Sequence, residues 1–253
     1  LFAYFMEMGT GKTKVSIDNA CYLYQERKVN VGLVVAPNSV YRNWERAIKE
    51  NAPVETTVFV HKRDKKFVKT PGKLAFFLIN IEAFSSKLGV QTVGKIIDEY
   101  AQTMMVIVDE STKIKNRTAK RTKSLTKICR PIAYKRILTG SPVTKSPLDL
   151  FSQCAFLSEE LLGFTNFYAF RSRYCVMKTV GLGNTGKQFQ LPLYFTNLPE
   201  LEQKLKTFSF RVKKDECLDL PNKIYNKRYV ELKGEQQQHY NNLRTFARTI
   251  FMD

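Results

Sequence analysis

The sequence predicts an α/β fold in which helices flank a central parallel sheet, with a smaller, mainly helical insertion toward the C-terminal end. Three observations predict it. An apolar run, Leu1-Phe2-Ala3-Tyr4-Phe5, leads into the glycine turn Met8-Gly9-Thr10-Gly11-Lys12-Thr13. A second run, Met104-Met105-Val106-Ile107-Val108, ends in the carboxylates of Asp109 and Glu110. Between and after these, short apolar runs alternate with helix-periodic segments, and such a succession implies parallel strands joined by right-handed crossovers.

Each element follows in order. Residues 1–5 read as a buried strand, and a helix starting near Thr13 carries Val15, Ile17, Cys21, Tyr22 and Tyr24 on its apolar positions. Val31 to Pro37 is a strand, after which Asn38 or Ser39 caps a helix bearing Val40, Trp44 and Ile48. Thr57–Val60 and Leu74–Ile79 are further strands, with the charged connection Lys62-Arg63-Asp64-Lys65-Lys66 between them. Val93–Tyr100 is a helix leading to the acidic strand, a helix runs from about Thr118 to Cys129 with Leu125 and Ile128 inward, and Arg136–Thr139 is a strand entering Gly140-Ser141-Pro142. Beyond Ser158 this rhythm breaks. Phe164, Phe167, Tyr168, Phe170 and Tyr174 read as a helical core stripe rather than a base-stacking platform, and Gly181 to Gly186 as a hairpin turn before a strand at Lys187–Leu191.

Two of these segments carry chemistry. Gly9 and Gly11 allow a turn tight enough for successive N–H groups to face an anion, and the following helix adds the positive end of its dipole. With Thr10 they form a phosphate cradle, in which Lys12 reaches the β/γ-phosphates and the Thr13 hydroxyl holds Mg²⁺. The match is incomplete, since Met6 stands where the full pattern asks for glycine. Two acids at the carboxyl end of a buried strand lie where ligands bind in open α/β folds. Asp109 suits the metal shell and Glu110 the polarisation of an attacking water. The expected cofactors are therefore ATP and Mg²⁺, and Lys12, Asp109 and Glu110 are the candidate catalytic residues.

Charge and composition narrow the classes. Lys and Arg number 41 against 23 Asp and Glu, a net charge of +18 that favours a polyanionic partner. Lys113, Lys115, Arg117, Lys120, Arg121, Lys123, Lys127, Arg130, Lys135 and Arg136 follow the acidic pair with no acid among them, and phosphate-backbone contact is the preferred reading of that run. Five cysteines without C-x-x-C spacing suggest neither structural zinc nor disulfides, and a reducing compartment. No apolar stretch is long enough to span a bilayer. Leu1 already belongs to a strand, which reads as a piece of a longer protein.

The ordered set MEMGTGKT (6–13), VVAPNSVYRNW (34–44), LINIEAF (78–84), VIVDEST (106–112), KIKNRTAKRTK (113–123) and LTGSPVTKSPLDLFSQ (138–153), with FRVKKDECLDLPNK (210–223) beyond it, resembles the motifs of superfamily 2 helicases. Within that group it is most similar to SWI/SNF-type DNA translocases, especially their short bacterial and phage relatives. The resemblance implies a RecA-like lobe at 1–157, a helical protrusion with a hairpin at 158–209, a return to the lobe at 210–235, and at 236–253 the start of a passage to a second, missing lobe. It implies Mg-ATP hydrolysis driving movement on DNA, duplex favoured over single strands, in the cytoplasm of a bacterial or phage-infected cell, or in the nucleus of a eukaryote. Gly9, Thr10, Gly11, Lys12 and Thr13 would hold the triphosphate; Thr139, Gly140 and Ser141 would couple it to the DNA side. Pro37, Asn38, Ser39, Ile81, Glu82, Lys113, Lys115, Asn116, Lys120 and Arg121 would lie along the DNA track. Thr112 stands where the family usually has histidine, and its hydroxyl is expected to bond across to the Thr139 motif. The competing classes are an RNA-directed helicase, another P-loop enzyme such as a small-molecule kinase, and a nucleic-acid-binding module with a relict cradle.

Overall fold

The computed structural model describes residues 1–64, 67–181, 188–217, 219, 221 and 224–252; the predicted turn at 182–186, Lys65-Lys66 and parts of 218–223 lie outside them. The chain divides into two compact units, residues 1–218 and 219–253. In the second, residues 224–233 form neither helix nor strand and are followed by a helix, Glu235–Met252.

In the first unit seven strands form one parallel sheet: β1 (Phe2–Met6), β2 (Val31–Ala36), β3 (Thr56–Val60), β4 (Leu74–Asn80), β5 (Met104–Asp109), β6 (Tyr134–Leu138) and, after the insertion, β9 (Ser209–Val212). Their order is β3-β4-β2-β5-β6-β1-β9, every pairing parallel. The central strands are continuous apolar runs because both sheet faces are covered; β2 is buried throughout, and β4 and β5 are buried up to their last residue. One face packs α1 (Lys12–Gln25) and α2 (Tyr41–Asn51) through Ile17, Ala20, Cys21, Trp44 and Ile48. The other packs α3 (Lys87–Tyr100), α4 (Lys120–Ile128) and α5 (Leu150–Leu157) through Val93, Ile97, Leu125, Leu150 and Cys154.

The insertion contributes α6 (Phe167–Tyr174), an antiparallel pair β7 (Cys175–Gly181) and β8 (Gln188–Phe195), and α7 (Leu198–Lys206). The aromatic stripe is core: Phe164, Phe170 and Tyr174 stack edge-on and tilted, with Phe170 and Tyr174 fully buried. Tyr168, counted in that stripe, is instead 58% exposed, because it lies on the outward side of α6.

Several local expectations are corrected. Neither Asn38 nor Ser39 caps α2; a short 3-10 turn at Asn38–Val40 intervenes, and the Asn38 side chain instead accepts from Asn80 at 2.8 Å. In α1, Val15 and Tyr22 are exposed, and Ala20 and Leu23 take the inward positions beside Ile17 and Cys21. Lys135 and Arg136, counted in the basic run, lie in β6 and are buried, because the strand rather than the helix claims them.

Candidate active site

Because the strands are parallel, their carboxyl ends deliver loops to a single edge of the sheet, as ligand sites in open α/β folds require. There β1 ends in the glycine turn, β5 in Asp109, and β6, between them in the sheet, in Thr139.

Glycine is needed at two points of the turn. Gly9 and Gly11 have φ of 87° and 92°, the left-handed region where a Cβ is penalised, and a Cβ on Gly11 would meet nothing within 4 Å. The constraint at Gly11 is thus backbone conformation rather than space. The turn closes on itself: the Thr10 hydroxyl donates to the Glu7 carbonyl at 2.7 Å, and the Lys12 ammonium donates to the carbonyls of Met6 (2.7 Å) and Glu7 (2.8 Å). The last strand buttresses it from outside. The Glu7 amide donates to Val212, and the Lys214 amide to the Glu7 carboxylate at 3.0 Å. Burial lowers the Lys12 pKa, against the carboxylates of Asp109 and Glu110, which lie near enough to act on its charge.

Asp109 is held by two donors: the Trp44 indole N–H at 2.8 Å and the Glu110 amide at 2.9 Å. Desolvation still raises its pKa above the ordinary carboxylate value, the two hydrogen bonds opposing it. Glu110 itself has φ 54° and ψ 61°, a left-handed conformation that costs a non-glycine residue on the order of 1 kcal/mol or more. That backbone aims its carboxylate at two hydroxyls: Oε1 accepts from Thr112 at 2.6 Å and Thr139 at 3.0 Å. Thr112 was expected to bond across to the Thr139 segment; instead both threonines converge on Glu110, and Thr139 makes the crossing. The Thr139 oxygen in turn accepts from the Ser141 amide at 3.2 Å. A Cβ on Gly140 would stand 3.4 Å from the Cα of Glu7, so this loop lies directly against the glycine turn.

The residues fit a magnesium nucleotide. Mg²⁺ is usually held by one or two carboxylates, with water and phosphate completing the octahedron. Asp109, a partly buried carboxylate with no cation partner at ion-pairing distance among the described residues, and the Thr13 hydroxyl at the second position of α1 supply such donors. Among the described residues no three His, Cys, Asp or Glu cluster as a metal cage would require.

The expected nucleic-acid residues fall into three groups. Asn38, Ser39, Lys113, Asn116 and Lys120 are exposed, with Pro37 half-buried beside them. Ile81 is 1% exposed, part of the core, and offers no surface to a nucleic acid. Glu82 and Arg121 are partners: the guanidinium lies 3.0 Å from both carboxylate oxygens and also donates to the Lys113 carbonyl. A carboxylate already engaged in this way positions Arg121. Lys115 is likewise held, by Thr144 and, at 3.7 Å, by Asp149.

Sequence reasoning missed three positioning residues. Trp44 reads as one more apolar position of α2, and nothing in its spacing announces an indole N–H aimed at Asp109. Gln153 is fully buried, accepting from Ser111 and donating to the carbonyls of Pro142 and Asp149, which locks the segment after Glu110 to the loop after Thr139. Asp149 accepts from the Thr144 amide and hydroxyl and the Lys145 amide, fixing that loop. A Ser152-Gln153 pair in the mostly apolar α5 was the available signal for the second.

A family model described as the SNF2-related domain matches residues 5–252. The mouse DNA annealing helicase and endonuclease ZRANB3 is 32% identical over 228 residues, 86% of this chain and 20% of that protein. The SWI/SNF-related matrix-associated actin-dependent regulator of chromatin subfamily A-like protein 1 of Xenopus tropicalis is 31% identical over 182 residues, 70% of this chain and 17% of that protein. The chain thus spans a fifth or less of the length of these two relatives. Among solved structures, the Sulfolobus solfataricus SWI2/SNF2 ATPase core in complex with dsDNA superposes with a TM-score of 0.63 at 24% identity, covering 98% of this chain and 48% of that one. It shares the fold.

Proposed function

Because the chain belongs to the SNF2-related domain family, a helicase-like ATPase family, we propose that it is the first motor lobe of an ATP-dependent DNA translocase. The observation that carries the reading is the convergence on Glu110. A carboxylate suited to polarising an attacking water is fixed from below by a left-handed backbone and from the side by Thr112 and Thr139.

In this reading Gly9, Thr10 and Gly11 present backbone N–H groups to the triphosphate, and Lys12 leaves the carbonyls of Met6 and Glu7 to reach the β/γ-phosphates. Thr13 and Asp109 would hold Mg²⁺, and when bound it would supply positive charge beside the phosphates. Glu110 orients the water. A change at the γ-phosphate alters what Glu110 binds, and Thr139 carries that change through Ser141 into the loop that Gln153 and Asp149 tie to Lys115. Motion is thereby coupled to the surface of Asn38, Ser39, Lys113, Asn116 and Lys120. Duplex DNA is the proposed track, in line with the dsDNA bound to the archaeal core. The intact protein would supply a second lobe whose arginine stabilises the transferring phosphoryl group, an effect of about 10³ or more in rate for such arginines.

The test is steady-state ATP hydrolysis by the full-length protein with no nucleic acid, single strands, duplex DNA or duplex RNA, beside Glu110→Gln. Strong stimulation by duplex DNA, abolished in the variant, is expected. Stimulation by RNA alone would redirect the track, and no stimulation by any nucleic acid would sink the motor reading.

A further inference from the structure

Two arginines converge on Tyr168, the exposed tyrosine of α6. The Arg117 guanidinium, from the segment between β5 and α4, stands 4.6 Å from the centre of the Phe167 ring and 5.2 Å from that of Tyr168. Arg171 lies 5.3 Å from the same Tyr168 ring. The rings are held in place: Asn166 caps α6 by accepting from the Ala169 amide at 2.9 Å, and Phe167 packs edge-on against Phe151 of α5 with 5.5 Å between ring centres. Neither guanidinium has a carboxylate partner among the described residues, whereas Arg63, Arg121 and Arg173 each have one. Asp149, which lines a small cleft together with Arg117 and Phe167, is taken up by Thr144, Lys145 and Lys115. Hydrogen-bond donors are left over as well. Half-buried Arg117 donates one N–H to the Tyr168 oxygen at 3.3 Å, and that oxygen, an acceptor there, keeps its own hydrogen for another partner. Exposed Asn116, next in the chain, accepts through Oδ1 from the Thr118 amide (2.9 Å) and hydroxyl (2.8 Å), so its NH₂ has no acceptor among the described residues. The Arg171 Nε is enclosed, and what that side chain adds to the cluster is charge.

Two like charges gathered at one ring repel each other, and an anion beside them offsets that repulsion. A guanidinium stacked on aromatic faces keeps its N–H edge available in a fixed plane, the geometry that matches phosphate oxygens. Arginine, tyrosine hydroxyl and asparagine amide are all groups that contact the sugar-phosphate backbone, and donors strung over residues 116, 117 and 168 suit spaced phosphates better than one compact anion. We propose that Arg117 and Tyr168 together grip a backbone phosphate of duplex DNA, so that the insertion is part of the track. The proposal rests on the translocase reading and deepens it, since the track residues expected from the sequence all precede the insertion. Phe167 is the positioning residue: its ring, fixed against α5, sets the plane of the Arg117 guanidinium.

Biolayer interferometry of the full-length protein on an immobilised duplex, over a series of KCl concentrations, tests this. Arg117→Gln is expected to weaken binding roughly tenfold and to lower the salt slope by about 1. Arg117→Lys should restore the slope but not the full affinity, because the charge returns without the planar fork. Tyr168→Phe keeps the ring and loses only the hydroxyl, so binding should weaken several-fold at an unchanged slope. Thermal unfolding of the same variants reads the competing role: a lower midpoint with unaltered duplex affinity in both Arg117→Gln and Tyr168→Phe would show that the stack merely ties α6 to the lobe, and overturns the proposal. A Tyr168→Ala protein that loses affinity for single strands but not for duplex also overturns it, by making the ring a base-stacking platform. Lys113→Gln/Lys120→Gln separates the proposal from the wider reading. If that variant loses slope and Arg117→Gln does not, the track stands without the insertion; if the unaltered protein binds no duplex, the translocase reading falls and the insertion contact with it.

Discussion

Single hydrogen bonds decide how the two central carboxylates behave. Burial raises the Asp109 pKa, so between the ordinary unfolded carboxylate value of about 3.9 and its higher folded value the native state holds the extra proton. Stability from this group therefore falls as pH rises through that window, and a bound cation offsets the loss. Trp44→Phe keeps most of the ring packing but removes the N–H that favours the ionised form. The expected result is a several-fold rise in the Mg²⁺ concentration for half-maximal ATP hydrolysis, with the acid limb of the pH–rate profile moved to higher pH. An unchanged profile would show that the indole only fills space. Thr139→Val removes the hydroxyl that both donates to Glu110 and accepts from Ser141. Misorienting a catalytic group costs about tenfold to a hundredfold in turnover, so kcat should drop by that order while nucleotide affinity, read separately by fluorescence titration, holds. A parallel loss of affinity would place Thr139 in binding rather than positioning.

At the scale of elements, α3 contains its own controlled experiment. A Cβ on Gly89 would fall 2.2 Å from the Ala83 carbonyl oxygen, a backbone atom that cannot swing aside, because α3 starts tightly behind the short turn Ile81–Ser85. Gly94, one and a half turns along, has nothing within 4 Å. Gly89→Ala should therefore destabilise by about 1–3 kcal/mol or more, whereas Gly94→Ala should stabilise by roughly 0.5–1 kcal/mol through helix propensity. Urea midpoints of the two variants, compared at equal m-value, distinguish these signs. The same contrast explains what was legible beforehand. Strands β2, β4 and β5 announce themselves because a strand buried on both faces must be continuously apolar, and the glycine turn because φ near 90° selects glycine. The start of α3 was read several residues late, since its first turn is fixed by a Ser86 side chain accepting from the Gly89 amide rather than by apolar periodicity. Likewise, no period in the sequence tells that Lys135 belongs to a buried strand when ten basic residues surround and include it. Trp44 and Gln153 escaped for a related reason: their polar atoms act across 65 and 42 residues of chain, to Asp109 and Ser111.

Across the whole molecule the +18 net charge is not one uniform field. The ten residues of the basic run after Glu110 divide among five situations. Lys115 and Arg121 are ion-paired with Asp149 and Glu82; Arg117 stacks over Phe167; Lys135 and Arg136 are buried in β6; Lys123, Lys127 and Arg130 line the wall between α4 and α5 at the amino edge of the sheet; Lys113 and Lys120 are exposed and make no ion pair among the described residues. An exposed, unpaired lysine on the proposed DNA surface is the kind that releases a counterion on contacting a phosphate, which makes log affinity fall with log salt by roughly 0.9 per contact. A lysine that already has a carboxylate partner, or that faces elsewhere, contributes less to that slope. Full-length Lys113→Gln/Lys120→Gln should therefore bind duplex DNA more weakly, with its salt slope reduced by about 2, roughly 1 for each lysine lost. Lys123→Gln/Lys127→Gln, with the same change in net charge, should leave the slope near that of the unaltered protein. Fluorescence anisotropy with a labelled duplex over a range of KCl concentrations measures both. Equal reductions in the two variants would mean that only total charge matters and that the proposed track has no specific location; a reduction confined to the second variant would move the track to the opposite edge of the sheet, away from the coupling loop that Thr139 begins.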